Sequence, residues 1–244
     1  MNFLKNLFNP KNEKQSEKVK QNTPEIKPEP AEPVKDIDGN VYKTVKIGNQ
    51  IWMAENLKVT HYRNGNPIPE IKGKFEWEER EHEQEPAWCY YENDTSNIKT
   101  YGLLYNWYAV GDRRSMAPEG WRVPTDDDWQ ELEECLGMSL SDNEERLWRG
   151  TNEGSKLAGN TSLWDEGNLT RDAAFGKSGF SALPAGLRNY SSVFVGIGFT
   201  ANFWTSTAEN HRLACHRKLE FTKTKIARQT QLKRDGFSVR CIKE

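Results

Sequence analysis

The sequence predicts a mixed α+β domain carried behind an unstructured N-terminal tail. Three observations predict it. Apolar residues alternate at Val41–Ile47 and again in several short runs beyond residue 200, the period of half-buried strands. A single capped, amphipathic helix is written at 125–136. Nine tryptophans supply large buried areas for a core whose apolar share is only 35%.

The elements follow in order. Residues 9 to about 35 are rich in Lys, Glu, Gln, Asn and Pro, ending in Pro24, Pro28, Pro30 and Pro33. Such a run cannot bury enough apolar surface to offset its ordering entropy, so 1–35 is expected to be a disordered tail and linker, with the domain at 36–244. Val41, Val45 and Ile47 are expected on one strand face, Gly48-Asn49 supplies a hairpin turn, and Gln50–Met53 returns. Residues 74–86 are strongly charged and read as a short solvated helix or loop. Residues 88–91 read as a strand, and 101–110 as a buried helix or strand. Thr125 is placed to cap a helix whose first turn holds Asp126, Asp127 and Asp128 at the positive end of the dipole. Trp129, Leu132 and Leu136 form its core face. Gly- and Ser-rich residues 150–185 are expected in long loops. Strands follow at 203–207, at 213–221 and at 236–242, and residues 225–231 are expected to pair with the second of these.

Composition excludes several functions. A net charge of −2 leaves no electrostatic footprint for nucleic acid or an anionic membrane. No run of about 20 apolar residues offers a membrane span. Phe3, Leu4, Leu7 and Phe8 share a helical face, but Lys5 and Asn6 break the continuous apolar stretch a secretory signal needs, so a cytoplasmic location is expected. Cys89, Cys135, Cys215 and Cys241 form no C-x-x-C pair and are expected to be reduced, buried thiols. His61, His82, His211 and His216 sit in no spaced ligand motif, and no nucleophile elbow, phosphate loop or paired-carboxylate pattern is present. No cofactor, no metal and no catalytic residue is expected.

The conspicuous feature is the polar stretch 211–235. Alternation places Cys215, Arg217, Leu219 and Phe221 inward, and His216, Lys218 and Glu220 outward. With His211 and the nearby aromatic residues Tyr190, Phe194 and Phe199, they form the expected recognition surface, aromatics anchoring and charges selecting.

Eight segments in order resemble one bacterial family. They include Gln50-Ile-Trp-Met-Ala-Glu-Asn-Leu57, Trp88-Cys-Tyr-Tyr91, Tyr101-Gly-Leu-Leu-Tyr-Asn-Trp107, Pro118-Glu-Gly-Trp-Arg-Val-Pro-Thr125, Gly179-Phe-Ser-Ala-Leu-Pro-Ala-Gly186 and Gly236-Phe-Ser-Val-Arg-Cys241. The match, over about 36–244, resembles the Fibrobacter succinogenes major paralogous domain family. That family is similar to the formylglycine-generating-enzyme branch of the C-type-lectin-like fold. The resemblance implies an α+β domain with two helices, small twisted antiparallel sheets, long loops and closely paired termini. Members of the family have no known ligand; from the polar face above, this chain is expected to be a non-enzymatic module that binds a protein or glycan through loops and a C-terminal sheet face. Where many members carry a cysteine beside the Pro-x-Gly-Trp motif, this chain has Ala117, consistent with reduced thiols.

Two alternatives come with the resemblance. The enzyme branch works through two close, copper-binding cysteines, for which the nearest pair here is Cys215 and Cys241. Related domains are also targets of diversity-generating retroelements, which randomise adenines in this region. Randomised AAC codons cannot yield Lys, Glu or Gln, so Lys218, Glu220, Lys225, Gln229 and Gln231 did not arise that way.

Overall fold

The structure is a computed structural model that describes residues 27–244. The helical-face reading of Phe3, Leu4, Leu7 and Phe8, and most of the expected tail, lie outside the described residues. Among the described residues the chain is mixed α+β, with three small open sheets and seven α-helices rather than the two expected, because short helical turns interrupt the long loops and only two helices reach 10 residues. None of these helices is long and apolar enough to cross a membrane.

The first sheet starts with β1 (Glu29–Lys35), β2 (Val41–Ile47) and β3 (Gln50–Met53). β1 corrects the expected boundary at 36. It pairs antiparallel with β2, with a register shift between Ala31 and Val34. It is an edge strand, which is where Pro30 and Pro33 can sit without removing a ladder donor from a central strand. β2 and β3 form the expected hairpin, Val45 opposite Trp52. Val41, expected inward, is exposed, and Tyr42 is buried instead. The strand lies between two cores: Tyr42 packs into one, and Val45 and Ile47 into the other.

Helix α1 (Lys74–Glu83) is the charged segment, but it buries Trp77 completely. Next come β4 (Trp88–Cys89), α2 (Ile98–Tyr101), β5 (Leu104–Tyr105) and α3 (Trp107–Val110), so 101–110 is neither one helix nor one strand. β4 and β5 make the two-stranded sheet. After β6 (Trp121–Arg122) comes α4 (Asp126–Cys135), capped as its sequence predicts. Thr125 Oγ1 accepts from the Asp128 N–H at 3.1 Å, and the Thr125 N–H donates to Asp128 Oδ2 at 2.6 Å. Trp129, Leu132 and Leu136 are fully buried. Trp129 stands 5.1 Å from Trp52, 5.4 Å from Phe180 and 5.7 Å from Phe203, an aromatic cluster where aliphatics are few.

The chain continues through α5 (Leu140–Glu144), β7 (Leu147–Arg149), α6 (Glu153–Leu157), α7 (Asn168–Arg171), β8 (Ala185–Arg188), β9 (Phe194–Ile197), β10 (Thr200–Ala208), β11 (Leu213–Glu220) and β12 (Ile226–Leu232). The strands form a six-stranded sheet in the order β7-β12-β11-β10-β8-β9. The expected closing strand at 236–242 is shorter. Only β13 (Ile242–Lys243) is regular, between β3 and β6, while Phe237 and Ser238 bridge to Tyr105 and Phe203. Phe237, Val239 and Cys241 are buried, but so are Ser238 and Arg240, because protein covers this segment on both sides.

Candidate functional site

The site begins with alternation across β11, β12 and β7. One set of side chains points into the body of the protein. Arg217 donates to Glu133 Oε1 at 2.8 Å and also to Asp126; Arg228 Nε donates to Asp126 Oδ2 at 2.9 Å, and Arg149 donates to Glu133. Arg217 and Glu133 are completely buried. Burial opposes the charge on Asp126, but Arg217 and Arg228 prevail and hold its carboxyl below the usual range. These charges are consumed by the fold.

The alternate set points the other way. Trp148 lies opposite Ala227, and Ala227 opposite Lys218, so the three form a row across the sheet. Lys218 Nζ lies 5.7 Å from the Trp148 ring centroid and 2.8 Å from Glu220 Oε2. Glu220 in turn accepts from Thr222 Oγ1 at 2.6 Å.

Residues 221–225 turn the chain from β11 into β12, and their backbone is held from two sides. The Leu169 N–H donates to Phe221 O (3.0 Å), Asn168 Nδ2 to Thr222 O (3.0 Å), and the Ser155 N–H to Thr224 O (3.0 Å). Two glycines permit this close approach. A Cβ at Gly167 would stand 2.1 Å from Phe221 O, and one at Gly154 would stand 2.3 Å from Lys225 O. Lys223 and Lys225 are exposed on this fixed turn. Among the described residues neither ammonium has an ion-pair or hydrogen-bond partner (the Lys223 amide does close the turn).

The turn, Trp148 and the α7 residues Asn168 and Arg171, followed by Asp172, enclose an open cleft of about 540 Å³. That is within the usual range for a small-molecule site. Its lining carries three cations, Arg171, Lys223 and Lys225, against one carboxylate, Asp172. Arg171 is paired with Glu166 at 2.8 Å, and Asp172 Oδ1 accepts the Ala174 N–H at 2.7 Å. With Arg171 paired, the lining cations without an ion pair among the described residues are the two lysines, set against the one carboxylate of Asp172.

Of the seven expected contact residues, the structure brings three to this end of the sheet. They are Lys218, Glu220 and Phe199, whose ring packs 5.4 Å from Phe221. Tyr190 and Phe194 lie on the β8–β9 hairpin, beside Arg234 and Tyr91 respectively. His211 is exposed in the turn between β10 and β11, at the opposite end of β11 from Glu220. His216 is a correction. It does leave the inner face, but Trp204 and Phe237 cover it at 6.1 and 4.9 Å, and it is 3% exposed. Burial, reinforced by the charge of Arg217, pushes its imidazole down to about 3, so it is neutral at neutral pH. Trp148, Asn168, Arg171 and Lys223 do not stand out in the sequence as site residues. The available signals were a tryptophan alternating with Arg149 and glycines at 154 and 167.

All four cysteines are free thiols. Cys215 stands beside Glu209 and Asp126, whereas Cys241 is fully buried near Asp36 and Arg63. Burial pushes both thiols up, and they do not form a pair. Among the described residues no three His, Cys, Asp or Glu side chains gather as a metal site.

The chain is thus an α+β domain whose exposed cleft is bounded by fixed backbone and by two lysines without ion-pair partners among the described residues. It belongs to the Fibrobacter succinogenes major domain family, whose model matches residues 45–243. No curated protein and no solved structure matches it.

Proposed function

We propose that this protein is a non-enzymatic ligand-binding module of the C-type-lectin-like kind, and that the cleft beside Trp148 holds the ligand. The finer fold reading is supported by the pairing of β3 with β13, Trp52 opposite Ile242, which joins the two ends of the domain in one sheet. The binding reading rests on one observation. Lys223 and Lys225 are presented on a turn held by Gly154, Gly167, Asn168 and Leu169, with no partner among the described residues. Charges carried on a fixed turn, and unpaired among the described residues, suit a recognition site whose backbone is preorganised.

The test is a printed array of saccharides and peptides probed with the full chain and with the double variant Lys223→Glu/Lys225→Glu. Selective retention by the wild type, lost in a folded double variant, is the expected outcome. Equal retention by both proteins would remove the cleft as the binding site.

A further inference from the structure

The chemistry of the cleft narrows its ligand. Resting on the binding reading above, we infer that the cleft takes an anionic saccharide, a sugar bearing a carboxylate or a sulfate ester. Three features carry this. First, Trp148 lines the cleft as a half-buried indole with Lys218 over its ring at 5.7 Å, and its remaining exposed surface is apolar, as the C–H face of a pyranose requires. Second, the remaining uncharged lining is Asn168, Thr222 and Thr224. Thr222 Oγ1 donates to Glu220 and Thr224 Oγ1 donates to Thr151 O at 2.7 Å, so both hydroxyl oxygens are left to accept from sugar hydroxyls. Asn168 spends its Nδ2 on Thr222 O, which leaves its carbonyl oxygen as an acceptor. Third, Lys223 and Lys225 bring positive charge to the same rim; Glu220 feels the Lys223 charge, but among the described residues neither ammonium has an ion-pair or hydrogen-bond partner, and an acidic group on the ligand fits them.

An acidic peptide meets the charge requirement but not the others. Peptides that dock beside a sheet usually extend a free edge strand, using its ladder groups. The edge here is β7, only three residues long. It starts at Leu147 with φ 65° and is followed by Gly150 with φ 78°. Left-handed backbone at both ends turns the ladder groups away from a common line. The cleft also offers one aromatic ring rather than alternating side-chain pockets.

The decisive experiment is calorimetric titration of the full chain at low salt with four probes: trigalacturonate, a sulfated trisaccharide, neutral galactotriose and hexaglutamate. The expected result is binding of one or both anionic sugars, weakened at least about tenfold by Lys223→Ala/Lys225→Ala and weakened again by added salt. The two anionic sugars distinguish carboxylate from sulfate. Galactotriose bound as tightly as the acidic sugars would overturn the inference, because charge would then not select. Hexaglutamate bound in a lysine-dependent way, with neither acidic sugar bound, would overturn the ligand class but leave the cleft as a binding site. No binding of any probe would overturn both readings. The double alanine variant changes exposed side chains, so circular dichroism should match the wild type.

Discussion

The two faces of the six-stranded sheet carry charge in opposite ways. On the inner face Arg217, Arg228 and Arg149 meet Asp126 and Glu133 in a buried network. On the outer face Lys218 is paired with Glu220, and Lys223 and Lys225 stand on the adjoining turn without partners among the described residues. Neighbouring positions of one strand thus serve opposite ends. A charge the fold has already neutralised cannot select a ligand, whereas a charge held by rigid backbone and left unpaired can. The distinction is testable because the two sets should respond to mutation in different observables.

The largest effect belongs to the inner network. Arg217→Ala would leave Asp126 and Glu133 buried with fewer cations, and a loss of about 3–5 kcal/mol is expected in urea denaturation. A loss below about 1 kcal/mol would mean the network is not structural, and the contrast between faces would fail.

A buried but unpaired group sharpens the comparison. Asp235 is fully buried, neither carboxylate oxygen has a hydrogen-bond partner among the described residues, and burial pushes its carboxyl up to about 7. The folded protein then holds this proton more tightly than the unfolded chain does. The stabilising contribution is complete below the ordinary carboxylate range near pH 4 and is lost as pH rises through about 7. The span is at most roughly 4 kcal/mol, from about three pH units at ~1.4 kcal/mol each. Asp235→Asn should flatten denaturation midpoints over that window, and an unchanged pH slope would count against the assignment.

The clamp on the cleft comes next. Gly167→Ala should drive the turn away from α7 and cost about 1–3 kcal/mol, the usual penalty for overpacking. A thermal melt would register it, and an unchanged melting temperature would show that the turn yields freely. The smallest stability effect is expected where the functional one is greatest. Lys223→Glu/Lys225→Glu should stay within about 0.5 kcal/mol of the wild type. A larger loss would make these lysines structural.

Local chemistry made much of this fold legible. The β2–β3 hairpin, the Thr125 cap and the β11–β12 pair rest on alternation, turn residues and a capping box, each contained within a few neighbours. The rest depends on what returns from far along the chain. Alternation puts His216 on the outer face, but only the return of Phe237 buries it. Trp77 is hidden among charged neighbours in the sequence and becomes core by packing with Ala87, Cys89, Tyr91 and Leu104, its Nε1–H donating to Arg234 O at 2.8 Å. β1 looks like linker by composition, since an edge strand tolerates the prolines that signal one. The cleft was half legible: Lys218, Glu220 and Phe199 point to the right end of the sheet. Trp148 and α7 enter only through tertiary contact, and Gly154 and Gly167 matter only because another backbone presses on them.

The proposed ligand site is the cleft beside Trp148, rather than the whole polar stretch 211–235. The most direct test is to follow backbone amide resonances of the full chain while titrating trigalacturonate. Shifts are expected at Trp148, Asn168, Arg171 and residues 218–225, with His211, Tyr190 and Phe194 unmoved. Shifts centred on the β8–β9 hairpin, or spread evenly over 211–235, would contradict this placement.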